Sequence, residues 1–182
     1  ERVSLRGIER IFKVCRQTVA KWIREYLKQL PVVADTLLLY EVGDVLEIDE
    51  LWSFVLNKDQ KWWVWIALCR RTRQIVAFYI GKRDEAAARQ LEQRIPYPYT
   101  LCPMYTDEYK PYEGVLPEHL HWAKPKGSGA TSHLERWNNT LRQRLARFVR
   151  KTLSFSKCDV MHRIMLEWFI IEYNLHVPSL TT

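Results

Sequence analysis

Asp49 lies in the apolar run Val45-Leu46-Glu47-Ile48-Asp49, within the stretch EIDELW, Glu47 to Trp52. The strand-like stretch after it, Lys61 to Leu68, carries three tryptophans, which sets Asp49 near a core. A carboxylate is costly to desolvate unless a cation, a metal or a proton compensates it. Asp49 therefore reads as the first ligand of a metal site. Asp107 stands in YTDEY, Tyr105 to Tyr109, just beyond the end of a strand-like run, the edge where α/β sheets place ligands. Glu135 falls near the start of a long helical pattern, where the bland role is to complement the helix dipole. Gathered together, three carboxylates could hold two divalent cations about 3.5–4 Å apart for phosphodiester displacement. Without metal they would repel one another, and at least one pKa would rise. Such a site is expected to bind metal weakly until phosphate oxygens complete the coordination.

The elements that must position these acids follow from periodicity. Asp44–Leu56, Lys61–Cys69 and Gln74–Ile80 read as three antiparallel strands, rich in Val, Ile, Trp, Phe and Tyr and joined by turns at 57–60 and 71–73. Asp84 to Ile95 reads as a helix capped by Asp84. Leu101–Thr106 is a fourth strand and Leu120–Ala123 a short fifth. Ser132 to Lys151 is expected to be the longest helix, with Leu134, Trp137, Leu141, Leu145 and Phe148 on one face. Glu135, Asn139 and Arg142 share a neighbouring face, whereas Asn138 is expected off that line and exposed. Lys157 to Asn174 is the last helix. Glu47 and Glu50 are expected on the strand face opposite Asp49, solvated. Trp62, Trp63 and Trp65 read as packing residues, Trp52 as a wall of the site, and Tyr109 and Tyr112 as structural.

Upstream, residues 4–28 read as two helices with a tight break at Val14-Cys15-Arg16, like the last two helices of a helix-turn-helix. Lys13 stands where Gly is common in that turn, and Glu9 where a small residue is usual. Arg16, Gln17, Thr18, Lys21 and Arg24 lie off the apolar stripe, able to meet phosphates and base edges. Leu30-Pro31 ends this unit. The expected organisation is thus a partial helix-turn-helix over 1–30, a linker over 31–43 with some order at Thr36 to Tyr40, and a catalytic domain over 44–182.

The 182 residues carry a formal net charge of +7. Residues 1–30 hold eight Lys/Arg against three Glu, and residues 123–157 hold nine against Glu135 alone. The remainder is net acidic, so two basic surfaces flank an acidic middle, the distribution a DNA-processing enzyme needs. The four cysteines form no C-x-x-C pair, which leaves structural zinc unsupported. No apolar run reaches the roughly 18 residues of a membrane span, and nothing resembles a signal peptide, so a cytoplasmic, nucleoid-associated protein is expected. The chain opens on Glu1 rather than Met, as a fragment or processed product would.

EIDELWSFV, YTDEYKPY, HLERWNNTLRQRLARFVRKT and the following SFSK resemble the insertion-sequence-1 family of bacterial transposases. The resemblance covers nearly the whole chain, with the motifs in the family's order. It implies the α/β ribonuclease H-like fold of DDE transposases, a mixed sheet flanked by helices, with the first strand beside the fourth. It implies Asp49, Asp107 and Glu135 as catalytic triad and metal ligands, with Mg²⁺ or Mn²⁺. Double-stranded DNA, as terminal inverted repeats and as target, is the implied partner. Holding two ends together calls for a homodimer or a higher synaptic assembly. His133, Arg136, Asn139, Arg142, Arg147 and Lys151 are then candidate contacts to the scissile strand and its phosphates. Family members usually open with a cysteine zinc finger, a pattern this sequence does not contain. Two other readings remain: a non-catalytic DNA-binding protein or repressor derived from a transposable element, and a ribonuclease H-type nuclease.

Overall fold

A computed structural model of the chain describes residues 3–177. Helix α1 (Leu5–Phe12) starts at Ser4, whose hydroxyl accepts from the Gly7 N–H at 3.0 Å, a side-chain cap for an otherwise unpaired donor. It ends at Lys13 in the left-handed region (φ 55°), a backbone conformation that Gly adopts more readily than Lys. Helix α2 (Arg16–Leu27) follows. Tyr26 of α2 meets Trp168 edge to face, with ring centroids 5.2 Å apart.

Segment 31–43 is docked on the body rather than loose. Its 3-10 turn, Val33–Thr36, is held by a buried polar clamp. The Gln74 side-chain amide donates to the Thr36 carbonyl (2.8 Å) and its oxygen accepts from the Leu38 N–H (2.8 Å). Asn174 donates to Thr36 Oγ1 and accepts from the Ile75 N–H. Every one of these groups would be costly to bury unpaired, so the clamp fixes the segment to the sheet and to the last helix.

Strands β1 (Leu46–Val55), β2 (Asn57–Cys69) and β3 (Ile75–Gly81) form the antiparallel meander expected from their β-branched and aromatic content. The first reversal is tighter than the sequence indicates. It turns at Leu56 (φ 66°), and residues 57–60, expected as a loop, already belong to β2. After α3 (Glu85–Glu92), capped by Asp84 as expected, comes β4 (Met104–Thr106). It is shorter than predicted, because a 3-10 turn occupies Tyr99–Leu101 and Pro103 has no N–H for a ladder. β4 lies parallel to β1 and β5 (His121–Ala123) parallel to β4, giving a five-stranded mixed sheet in the order β3-β2-β1-β4-β5.

Two cores sandwich this sheet. Leu46, Ile48, Trp65 and Ala67 pack with Ala87, Ala88 and Leu91 of α3 on one face. On the other, Leu51, Val64, Ile66 and Leu68 pack with α4 (Ser132–Arg144) and α5 (Asp159–His176). The helix expected over Ser132–Lys151 stops at Arg144. Leu145 turns extended, and a 3-10 turn at Ala146–Phe148 tucks Phe148 against His162, with ring centroids 4.4 Å apart. The longest helix is therefore α5, with 18 residues. Among the described residues no helix is long and apolar enough to cross a membrane.

Candidate active site

The parallel pairing of β1 with β4 builds the acidic centre. Leu46 pairs with Met104 and Glu47 with Tyr105, so two residues further on Asp49 comes level with Asp107, 58 positions away in sequence. Carboxylate oxygens of Asp49, Glu50 and Asp107 lie within 4.8 Å of one another. Asp107 is fixed by accepting from the Tyr109 N–H at 3.2 Å. Burial pushes the Asp49 carboxyl up to about 7, with the negative charges of Glu50 and Asp107 adding to the rise. The rise expected of crowded acids is present, although desolvation is its larger cause.

Glu135 lies in the first turn of α4 and is exposed. It lines the same cleft, of about 450 Å³, as Asp49 and Asp107. The closely spaced trio, however, contains Glu50 in its place. Glu50 is not solvated as expected. It is buried, accepting from Tyr112 Oη at 2.8 Å and from both Nε (2.7 Å) and Nη2 of Arg83. Arg83 is itself packed over the rings of Trp63 and Tyr109. Glu50 thus has its own cation in Arg83.

Glu47 is the larger correction. Strand alternation puts it on the same face as Asp49, not the opposite one. It is wholly buried, with four donors on two oxygens. Oε1 takes Arg70 Nε (2.9 Å) and His133 Nδ1 (2.6 Å), and Oε2 takes the backbone N–H groups of His133 and Leu134, both at 3.0 Å. The first turn of α4 has no side-chain cap from its own N-cap residue Thr131. A carboxylate from β1 serves there instead, satisfying two orphan donors and complementing the helix dipole. Glu47 therefore fixes where α4, and with it Glu135, begins relative to Asp49.

The remaining predicted residues divide. Asn139 and Arg142 line the cleft with Glu135. Asn138, expected exposed, is buried and donates to Asp49 Oδ2 at 3.3 Å. Its Oδ1 is buried and finds no hydrogen-bond partner among the described residues. An i, i+3 relation to Glu135 was the available signal for it. His133 is engaged by Glu47 rather than held out toward a strand. Arg136 and Lys151 are exposed but outside the cleft, which Arg150 lines. Arg147 turns inward to the Met161 carbonyl (3.4 Å), because the end of α4 redirects it from the helix face on which it was expected. Lys124 and Lys126, from the loop before α4, complete the basic side of the cleft. In α2, Lys21 and Arg24 are exposed, Gln17 is exposed and Thr18 half-buried, whereas Arg16 is ion-paired to Glu9 at 2.9 Å.

The donor set fits a hard divalent cation: carboxylate oxygens in reach of one another, with a buried carboxamide oxygen lacking a donor beside them. All four cysteines are free thiols, and none lines this cleft.

Residues 44–176 match the family described as IS1 transposase. Among curated proteins, the chain is 32% identical over 126 residues to the insertion element iso-IS1n protein InsB of Shigella dysenteriae, covering 69% of this chain and 93% of that one. It is 35% identical over 116 residues to the insertion element IS1 4 protein InsB of Escherichia coli K12, covering 64% and 67%. It is 33% identical over 139 residues to the IS1 9 protein InsB of the same organism, covering 75% and 81%. A parallel β1–β4 pair that brings two distant aspartates together, a glutamate on the facing helix and a match over most of the sequence agree: the chain belongs to the IS1 transposase family.

Proposed function

We propose that the protein is a DDE transposase that cuts DNA at the inverted-repeat ends of its element and joins the freed 3′-OH to target DNA. The carrying observation is the cleft in which Asp49 and Asp107 stand within reach of a shared ion, with Glu135 on the wall and basic residues around them. Asp49, Asp107 and Glu135 would hold Mg²⁺ or Mn²⁺. When bound, such ions activate an attacking oxygen and stabilise the leaving one.

The chain's own residues do the rest. Asn138 holds the Asp49 carboxylate in place, and Glu47 holds α4 so that Glu135 faces it. Arg142, Lys126 and Arg150 offset the charge of the scissile and neighbouring phosphates. Water attacks first, breaking the phosphodiester to leave a 3′-OH. That hydroxyl then attacks a target phosphodiester, and both displacements share one in-line geometry. The α1–α2 pair serves as the partial helix-turn-helix, with Gln17, Thr18, Lys21 and Arg24 against duplex DNA. Residues 31–43 join it to the catalytic unit. Two ends must be held at once, so the active species is a homodimer or larger assembly acting on chromosomal DNA in the bacterial cytoplasm.

The test is cleavage of end-containing DNA with Mg²⁺. Asp49→Asn and Asp107→Asn should abolish cutting while leaving DNA binding intact. Cutting that survives either change would refute the assignment. Binding without any cutting by the unaltered protein would leave only a DNA-binding protein.

A further inference from the structure

Strand β5 is one of the two edges of the sheet, β3 being the other, and its central residue, Trp122, is 50% exposed. Trp122 pairs across the ladder with Tyr105, the rings offset-stacked at 6.4 Å with 18° between planes. Cations flank both rings. The Arg70 guanidinium lies 4.8 Å from the Tyr105 centroid, and Lys124 Nζ lies 5.8 Å from that of Trp122. Arg70 is held by Glu47 and by the Ala130 carbonyl (2.8 Å), so the inner end of this ladder is braced against the start of α4. Lys124, just past the end of β5, lines the acidic cleft.

Trp65 and Trp137 are buried in the core, whereas Trp122 has one face on Tyr105 and is otherwise half-exposed. Trp122 instead offers a half-exposed ring against Lys124, which itself lines the cleft, so the ring stands beside a cation suited to phosphate. Duplex bases already have both faces stacked, so the occupant that gains most is an unpaired base. We propose that Trp122 is a stacking platform for an unpaired nucleobase of the DNA strand entering the cleft, with Lys124 meeting the adjoining phosphate. This rests on the reading of the cleft as a DNA-cutting centre.

The experiment is fluorescence anisotropy at fixed salt in EDTA, so that no cleavage occurs. The full chain is mixed with labelled duplex carrying a short single-stranded 3′ tail, with the same tail made abasic, and with blunt duplex. Trp122→Ala should weaken binding to the tailed DNA by roughly 5- to 100-fold, the usual worth of one base–aromatic stack. It should leave blunt and abasic DNA unchanged, and Trp122→Phe should restore most of the loss. Equal affinity of Trp122→Ala for tailed DNA would overturn the proposal. So would an equal loss on abasic DNA, or a change in oligomeric state without DNA, which would mark the β5 edge as a contact between copies. If Asp49→Asn abolishes cutting but Trp122→Ala binds normally, the platform falls and the transposase reading stands. If the base-dependent loss appears but the unaltered protein never cuts, the reverse holds.

Discussion

Replacing Asp49 by Asn should stabilise the metal-free protein, and the size of the effect follows from the cost of keeping that charge. Burial, with Glu50 and Asp107 nearby, raises the carboxyl from 3.8 to about 7. Between about pH 4 and 7 the native carboxyl keeps a proton that the unfolded chain has released, so stability falls as pH rises through that window. At about 1.4 kcal/mol per unit, the full penalty above pH 7 has an upper bound of about 4 kcal/mol. Relaxation and water entry reduce what is realised, so we expect a gain of about 1–3 kcal/mol for Asp49→Asn at pH 8. For a chain of this size that is a rise in Tm of roughly 3–10 °C. Thermal unfolding in EDTA at pH 5 and pH 8 measures it. The advantage of the variant should widen from pH 5 to pH 8. Millimolar Mg²⁺ should then narrow it by raising the Tm of the unaltered protein alone. A variant less stable than the parent at pH 8, or a gap independent of pH, would refute the reasoning.

The other structural claims yield separate outcomes. Glu47→Gln leaves Arg70 without its buried partner and turns an amide toward donors, so it should cost about 3 kcal/mol in urea unfolding. Asn138→Ala should raise the Mg²⁺ concentration for half-maximal cleavage by about tenfold, with little change in the plateau rate, as read from metal titrations of single-turnover cutting. His162 is buried between Ser53 Oγ (2.9 Å) and Ser156 Oγ (2.7 Å), and burial pushes its pKa down to about 3. Below about pH 6.5 the unfolded imidazole takes a proton that the native one refuses, so stability falls with acid. His162→Gln should flatten that acid limb of a stability–pH curve, and an unchanged limb would contradict the assignment.

The main frame of the site was legible because it depends on patterns local to each element. Apolar runs marked β1 and β4, the family resemblance implied that they lie side by side, and that pairing joins Asp49 to Asp107. What escaped depended on partners distant in sequence. Glu47 read as solvated, yet its donors lie 23 and 86 positions away, at Arg70 and the start of α4. Asn138 could be placed only once the phase of α4 against the sheet was known. Leu141, Leu145 and Phe148 fit a helical stripe equally well when the chain breaks after Arg144 and resumes as a 3-10 turn, so periodicity carried the helix too far and turned Arg147 the wrong way.

Iron-mediated backbone cleavage tests most directly whether Asp49 and Asp107, with Glu135 facing them, hold catalytic cations. Fe²⁺ is substituted for Mg²⁺ on the DNA complex, and ascorbate and peroxide then generate radicals where the ion sits. Breaks in the polypeptide around residues 49, 107 and 135, competed by Mg²⁺ and lost in Asp49→Asn, are the expected result. Breaks confined to other parts of the chain, or a pattern indifferent to Asp49, would contradict it.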